Sequence, residues 1–502
     1  MVNTAGLFLA IDQSTSATKA LLFSLEGRVV DQETKTHQQI YPEAGWVEHD
    51  AEEIFQNTIK VTTTLLSRNS KRWNNLLALS ITNQRETFVI FDRDTGHPLY
   101  NAIVWQCRRG VSICDKLVEE GNQDVVHQLT GLRIDTYFPA SKLRWLLDSR
   151  PDLRDCLKDG SALFGTIDTY LIYRLTNCKV YATDHTNASR TLFYDIKNFA
   201  WSQELCKVFD LSFSSLPDVR ESSAWFGDTD LVGNLNRRIP IYGVMGDSQA
   251  ALFAQRCFDP GSVKVTFGTG SSILMNVGHE LRLSSSGTIT ALAWVLDGIP
   301  TYAFEGIINF SGATITWLRD QLHLIDNVAE TEELALSVAD CDGVYLIPAF
   351  IGLSAPYWRP DVRAAILGMT PSTTKAHIVR AALDSIGFIV TDVIKAMSKD
   401  AGVVLSTIYA DGGAVSNSFL MQFISDLNQN TLQVSQLPER SALGAVFCGA
   451  LGLNIYRSVD DLHILSTDYK KFTPKVDVKT AHTRYDNWQA AIQQILCQRK
   501  QG

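Results

Sequence analysis

The sequence predicts an α/β protein made of two domains. The chain has 502 residues, well past the roughly 250–300 at which a single core stops growing. Short apolar runs alternate with stretches of helical periodicity, as in layered folds of strands and helices. A strand, a hydroxyl-rich turn and a second strand also occur near the start of each half, around Ser14-Thr15-Ser16 and around Gly268-Thr269-Gly270. The expected domains are residues 1–253 and 254–502.

In chain order, Leu7 to Ile11 reads as a buried strand that ends at Asp12, and Ala20 to Phe23 as its return strand. A helix is expected after Asp50, which can cap it, with Glu52 and Glu53 suited to the positive N-terminal end. Leu76 to Thr82 is another strand, running into Asn83-Gln84-Arg85-Glu86. In the second half, Ile241 to Met245 is a strand ending at Gly246-Asp247, with helical periodicity over 249–255. Val263 to Phe267 and Ile273 to Met275 flank the second turn. A long amphipathic helix spans His377 to Met397, and the strand Ile408 to Ala410 ends at Asp411-Gly412-Gly413, before a helix from about Asn417. The apolar run Ala442 to Leu453 is too short for a membrane span, which needs about 20 residues, and reads as a buried helix.

The net charge of −9 is spread along the chain, 45% of residues are hydrophobic and 20% charged. No basic tract suggests a nucleic-acid partner. The nine cysteines contain no Cys-x-x-Cys pair and are expected to be free thiols in a reducing cytoplasm. No charged leader precedes an apolar stretch, so no signal peptide is expected.

Neither a Walker A sequence nor a dinucleotide-binding glycine pattern is present. Turns whose amides converge on an anion are another way to hold phosphates, and the two hydroxyl-rich turns qualify. Each is equally readable as a plain turn. Asp12, beside the first turn, either holds Mg²⁺ through water or stabilises the turn. Asp247 is either a base that takes a proton from a substrate hydroxyl or a helix N-cap. Gly412-Gly413 would let a ligand such as adenine approach the backbone closely. Arg85-Glu86 taken alone reads as a solvated surface pair, and Trp105 and Tyr137 as packing residues.

Longer runs carry a resemblance. Gln39-Ile-Tyr-Pro-Glu-Ala-Gly-Trp-Val-Glu-His-Asp50, Ile81-Thr-Asn-Gln-Arg-Glu-Thr87, Asn101-Ala-Ile-Val-Trp-Gln-Cys-Arg-Arg109, Thr183-Asp-His-Thr-Asn-Ala-Ser-Arg190 and Pro348-Ala-Phe-Ile-Gly-Leu-Ser-Ala-Pro-Tyr-Trp358 are such runs. Ser141-Lys142-Leu143-Arg144-Trp145 and Gly368 through His377 to Asp384 add to them. Over roughly residues 7 to 455 the chain resembles the carbohydrate kinases that include glycerol, xylulose and gluconate kinases, and glycerol kinases in particular. The resemblance implies two actin-like (ribonuclease H-like) domains, each on a mixed five-stranded sheet, with the active site in the cleft between them. It implies a cytoplasmic enzyme, with ATP and Mg²⁺ as cofactors and with assembly into a homo-oligomer left open. By position it assigns Asp12, Ser14, Thr15, Ser16, Thr269, Gly312, Gly413 and Asn417 to the nucleotide. It assigns Arg85, Glu86, Trp105, Tyr137 and Asp247 to the polyol, with Asp247 as the base and with Asp12 and Asp247 facing the metal. The activity implied is phosphorylation of a terminal hydroxyl of a small polyol, first of all glycerol to glycerol 3-phosphate. A kinase for a longer polyol and a non-catalytic actin-fold sensor are the alternatives.

The sequence also departs from the family. Ser14 stands where the family has glycine, and Lys19 where arginine is common. Ser248 stands for a glutamine beside the base, and Ser272 for a phenylalanine that packs on the polyol carbons. The last two exchanges remove bulk from the acceptor pocket. The stretch Val232 to Arg238 lacks the glycine-rich loop with which some glycerol kinases bind a sugar-bisphosphate inhibitor.

Overall fold

The computed structural model describes residues 6–437, 439–463, 465 and 469–497. The first half is organised on a mixed sheet of six strands. These are β1 (Leu7–Gln13), β2 (Ala17–Ser24), β3 (Val29–Thr36), β4 (Leu76–Asn83), β5 (Trp225–Thr229) and β6 (Ile239–Gly246), in the spatial order β5-β6-β4-β1-β2-β3. The second half carries seven: β7 (Val263–Phe267), β8 (Ser271–Gly278), β9 (Ile289–Leu296), β10 (Ile299–Ile308), β11 (Ile408–Gly412), β12 (Leu432–Ser435) and β13 (Tyr469–Phe472), in the order β9-β10-β8-β7-β11-β12-β13.

The two sheets repeat one arrangement. The hairpin β1–β2 has a parallel neighbour, β4, on one side and antiparallel β3 on the other. The hairpin β7–β8 has parallel β11 and antiparallel β10 in the same places. β6 and β12 then add parallel strands. The expected five-stranded core is thus present twice, but neither sheet stops there. Antiparallel β5 and β13 cover one edge of each sheet, and β9 covers the opposite edge of the second. Each added strand pairs edge groups that would otherwise be open.

The helices expected after Asp50, over 249–255, over His377–Met397, from Asn417 and over Ala442–Leu453 are present, and others join them. Asp50 caps α1 (Ala51–Arg68), its carboxylate accepting from the amides of Glu52 and Glu53. α2 (Pro139–Ser149) starts with proline in its first turn, where no amide donor is needed. α3 (His185–Ala188) is one turn long and is capped by Asp184. α4 (Asp247–Ala254) leaves the end of β6, and α5 (Gly312–Asp320) follows β10. α6 (Lys375–Ala401) is the long amphipathic helix, and Asn417 caps α7 (Ser418–Asn428). α8 (Arg440–Gly452) is the buried apolar helix, and α9 (Val478–Leu496) ends the described chain. Among the described residues no helix is long and apolar enough to cross a membrane.

One apolar cluster joins the halves. Phe8, Ala10, Leu21 and Phe23 of the first sheet pack with Phe253 of α4, Leu443 and Phe447 of α8, and Leu274, Trp294 and Ala303 of the second sheet. Side chains alternate along a strand, so Ile273 and Met275 enter the other core, beneath α6, while Leu274 faces the first sheet. Register then puts Lys264, Thr266, Ser272, Leu274, Glu305 and Ile307 on that same inter-sheet face.

Candidate active site

The first turn is held from both sides. The Ser14 amide and hydroxyl both donate to Ala17 O at 2.9 Å. Ser14 lies outside the positive-φ region, so serine in place of glycine carries no backbone strain. Thr15 O accepts from the Gln39 amide and pairs with the His37 ring, each at 2.8 Å. The Thr15 hydroxyl accepts from the Trp105 indole N–H at 2.9 Å, which ties the turn to the wall expected to face the polyol.

The second turn is fixed by backbone alone. Gly268 O accepts from the Gly312 amide, and Thr269 O from the amides of Ser311 and Ala313, all at 3.0 Å. The start of α5 therefore sits on the turn. A Cβ on Gly270 would lie 2.2 Å from Ile308 O, and one on Gly312 2.6 Å from Gly268 O. Both distances are far inside van der Waals contact, so only glycine fits. Gly413 begins a single turn after β11, and nothing lies within 4 Å of a Cβ added there. The Asn417 carbonyl caps α7, and its amide donates to Thr331 at 3.1 Å.

Arg85 and Glu86 are not a surface pair, because both are buried. Arg85 follows the end of β4 and is met from the second sheet by Glu305, at 2.7 Å from its Nη2. Its Nη1 donates to Gln249 at 3.1 Å, and its Nε lies 3.3 Å from Asp247 Oδ1. Arg190 closes a ring. Its Nε donates to Glu86 Oε1 at 2.5 Å, and its Nη1 lies 2.6 Å from Glu305 Oε2. Burial alone would raise Glu305, but the Arg190 and Arg85 cations outweigh it and hold the carboxyl down to about 2. Burial pushes Glu86 upward against the same two cations, and the Glu305 charge adds to the push. Glu86 sits at φ +63°, a left-handed conformation unusual for a residue with a side chain and one that clusters at functional sites. Its Oε2 takes no hydrogen bond among the described residues and remains free to accept one.

Trp105 and Tyr137 are half-buried, with ring centroids 5.3 Å apart at 57°. They form an apolar wall beside the charged ring, and the Arg190 guanidinium lies 6.0 Å from the Tyr137 centroid. Asp247 opens α4, with Gly246 in the cap position. Its side chain is 38% exposed, so it faces a space that a ligand can enter. Ser248 follows it and donates its amide to Asp247 Oδ1 at 2.6 Å. The Ser272 hydroxyl is buried on the inter-sheet face and has no hydrogen-bond partner among the described residues.

Asp12, on β1, is pushed up to about 7 by burial, with the Glu439 and Asp247 charges adding and Lys19 opposing. Lys19 is itself paired with Glu439 at 2.7 Å. A buried carboxylate under repulsion from two others suits a divalent cation. Among the described residues no group of three or more His, Cys, Asp or Glu side chains could cage a metal. A cation at Asp12 would complete its shell from phosphate and water, as Mg²⁺ generally does.

The structure thus gathers Arg85, Glu86, Trp105, Tyr137 and Asp247 on one side, with Asp12 and the first turn adjoining them. Thr269 and Gly312 meet on the opposite turn, and Gly413 and Asn417 lie along the end of β11 and the start of α7. Sequence reasoning missed Arg190 and Glu305. Arg190 closes the quoted run 183–190, and Glu305 is a lone carboxylate in the apolar run Tyr302 to Ile308. A charge in a buried strand must find a partner, so Glu305 did leave a signal.

Two sheets of one topology thus meet across a ring of buried charges, in a two-domain α/β architecture. Residues 7–254 match the N-terminal domain and residues 263–453 the C-terminal domain of the FGGY family of carbohydrate kinases, and the chain belongs to that family. It is 43% identical over 488 residues to glycerol kinase 1 of Thermotoga maritima, covering 97% of this chain and 99% of that protein. It is 44% identical over 488 residues to the glycerol kinase of Symbiobacterium thermophilum, covering 97% and 98%. The crystal structure of Plasmodium falciparum glycerol kinase with ADP superposes with a TM-score of 0.94 at 36% identity, covering 98% of this chain and 99% of that one. A xylulose kinase from Lactobacillus acidophilus shares the fold, with a TM-score of 0.88 at 21% identity, covering 99% of each chain.

Proposed function

We propose that the protein transfers the terminal phosphoryl group of ATP to a terminal hydroxyl of glycerol, giving glycerol 3-phosphate and ADP. The observation that carries this reading is Asp247, half-open to the cleft and held 3.3 Å from Arg85, beside a ring of buried charges and an aromatic wall. The glycerol kinases related to this chain over nearly its whole length support the choice of acceptor.

In this reading the remaining Arg85 N–H donors and Glu86 Oε2 bind adjacent hydroxyls. Trp105 and Tyr137 pack on the carbons. Asp247 takes the proton of the attacking hydroxyl, a role worth about 10²–10⁴ in rate. Ser14, Thr15, Ser16 and Thr269 contact phosphates, and Gly312, Gly413 and Asn417 the nucleoside. Asp12 and Asp247 would hold Mg²⁺, which when bound would neutralise phosphate charge. Apposition of the two halves excludes water, which would otherwise compete as acceptor. The reading places the enzyme in the cytoplasm, without nucleic-acid or membrane partners.

The unpartnered Ser272 hydroxyl favours a second reading, in which a four- or five-carbon polyol fills the space and bonds to it. ADP release measured without acceptor and with glycerol, erythritol, threitol, arabinitol and xylitol separates the two. Turnover is expected only with a polyol, and glycerol is expected to lead. Preference for a longer polyol that reverses in Ser248→Gln/Ser272→Phe would establish the second reading. Acceptor-independent hydrolysis would defeat both.

A further inference from the structure

Lys142 stands in the run 141–145 and has no part in the reaction as described above. Its side chain is fully buried at the start of α2. Its ammonium donates to Val104 O, Trp105 O and Tyr137 O, each at 3.2 Å. Two of these carbonyls belong to the residues whose rings form the apolar wall. They lie on separate segments, one leaving the strand Ala102–Ile103 and the other leading into α2. No carboxylate forms an ion pair with Lys142 among the described residues, so its charge is balanced by carbonyl dipoles.

We propose that Lys142 is a positioning residue for the polyol pocket: its ammonium ties together the backbones behind Trp105 and Tyr137, and the pocket loosens when that ammonium loses its proton. The inference rests on the polyol reading given above. An ammonium has three N–H donors for three carbonyls. A neutral amine has two and a lone pair, so one carbonyl loses its donor and faces that lone pair. Either the Tyr137 segment loses its single tie or the 104–105 segment keeps one of its two, and in both cases the ring spacing is less firmly enforced.

Burial pushes Lys142 down to about 8. Cys107, Glu86, Asp135 and Cys114 face it and oppose that shift. Cys114 is itself pushed up by burial to about 11, above the range that matters here. Because folding lowers the Lys142 pKa, the full set of three contacts is intact below about pH 8, and one of the three is lost as pH rises through that value. In the reading above Asp12 serves the nucleotide, so a change there shows in KM for Mg·ATP and leaves the polyol KM as the signature of Lys142.

The test is wild-type kinetics from pH 6.5 to 9.5 with glycerol and erythritol, together with the variant Lys142→Met, whose folding is checked by thermal melting. In the wild type, KM for the polyol is expected to rise about tenfold or more across pH 8 while KM for Mg·ATP stays level, as expected when charge-assisted hydrogen bonds are lost. In Lys142→Met, the polyol KM is expected to be high at every pH and the alkaline limb to disappear. A polyol KM that is flat to pH 9.5 in the wild type overturns the proposal, whether or not the variant folds. So does an alkaline limb that persists in a folded Lys142→Met. Lack of turnover with either polyol at every pH would overturn the polyol reading itself, and this proposal with it.

Discussion

The acceptor and nucleotide sides proposed above are built by opposite means. The proposed acceptor side consists of charged side chains drawn from distant segments: Arg85, Glu86, Arg190, Glu305 and Asp247. The proposed nucleotide side is built on backbone, with glycines where main chains nearly touch and carbonyls capped by the start of α5. The acceptor side therefore fails when a side chain is cut short, and the nucleotide side when one is added. The turn at Ser14-Thr15-Ser16 lies between these extremes. Its main chain has room, so Ser14 can replace glycine and close the turn with its own hydroxyl.

Three experiments press on this contrast. The largest effect is expected from Asp247→Asn, which keeps shape and removes the proton acceptor. The phosphoryl-transfer rate should fall about 10²–10⁴-fold while Mg·ATP affinity, measured by calorimetry, stays near wild type. A rate close to wild type, with chemistry limiting, would remove Asp247 as the base. Glu305→Gln comes next. It leaves Glu86 as the buried carboxylate that Arg85 and Arg190 share, with the partly exposed Asp247 still beside Arg85; loss of a buried partner costs about 3 kcal/mol. A lower denaturation midpoint and a raised polyol KM are expected together. An undiminished midpoint would mean that the ring does not hold the two sheets together.

The smallest stability effect belongs to Gly413→Ala. The added methyl group meets no protein atom within 4 Å, so unfolding should shift by no more than about 0.5 kcal/mol. Only a bound ligand would feel it. KM for Mg·ATP should rise several-fold with polyol KM unchanged. If both constants hold at wild-type values, Gly413 does not face the nucleotide.

Much of this was legible in the sequence. The strands that present Asp12, Asp247 and Gly413 were read from short apolar runs ended by polar or glycine residues. Turn chemistry marked both hydroxyl-rich turns, because the signal for a turn sits in three or four consecutive residues. The Asp50 cap was read correctly for the same reason. Arg85-Glu86 taken by itself was misread as a solvated pair, since nothing within a few residues announces that both would be buried. The resemblance supplied their role, and the structure supplied the partners that make their burial tolerable.

What the sequence alone determined is therefore the local grammar: element types, the repeated hairpin, the turns and the residues at strand ends. Periodicity, capping and turn preference act over a few residues and survive without knowledge of the fold. The tertiary structure alone decided which charges meet. Arg85 and Glu305 are 220 positions apart, and Glu86 and Arg190 are 104 apart. Lys142 gained its three carbonyls only when α2 settled behind the aromatic wall. A buried charge takes its meaning from the groups that replace its water, and those groups are chosen by packing between segments far apart in the chain.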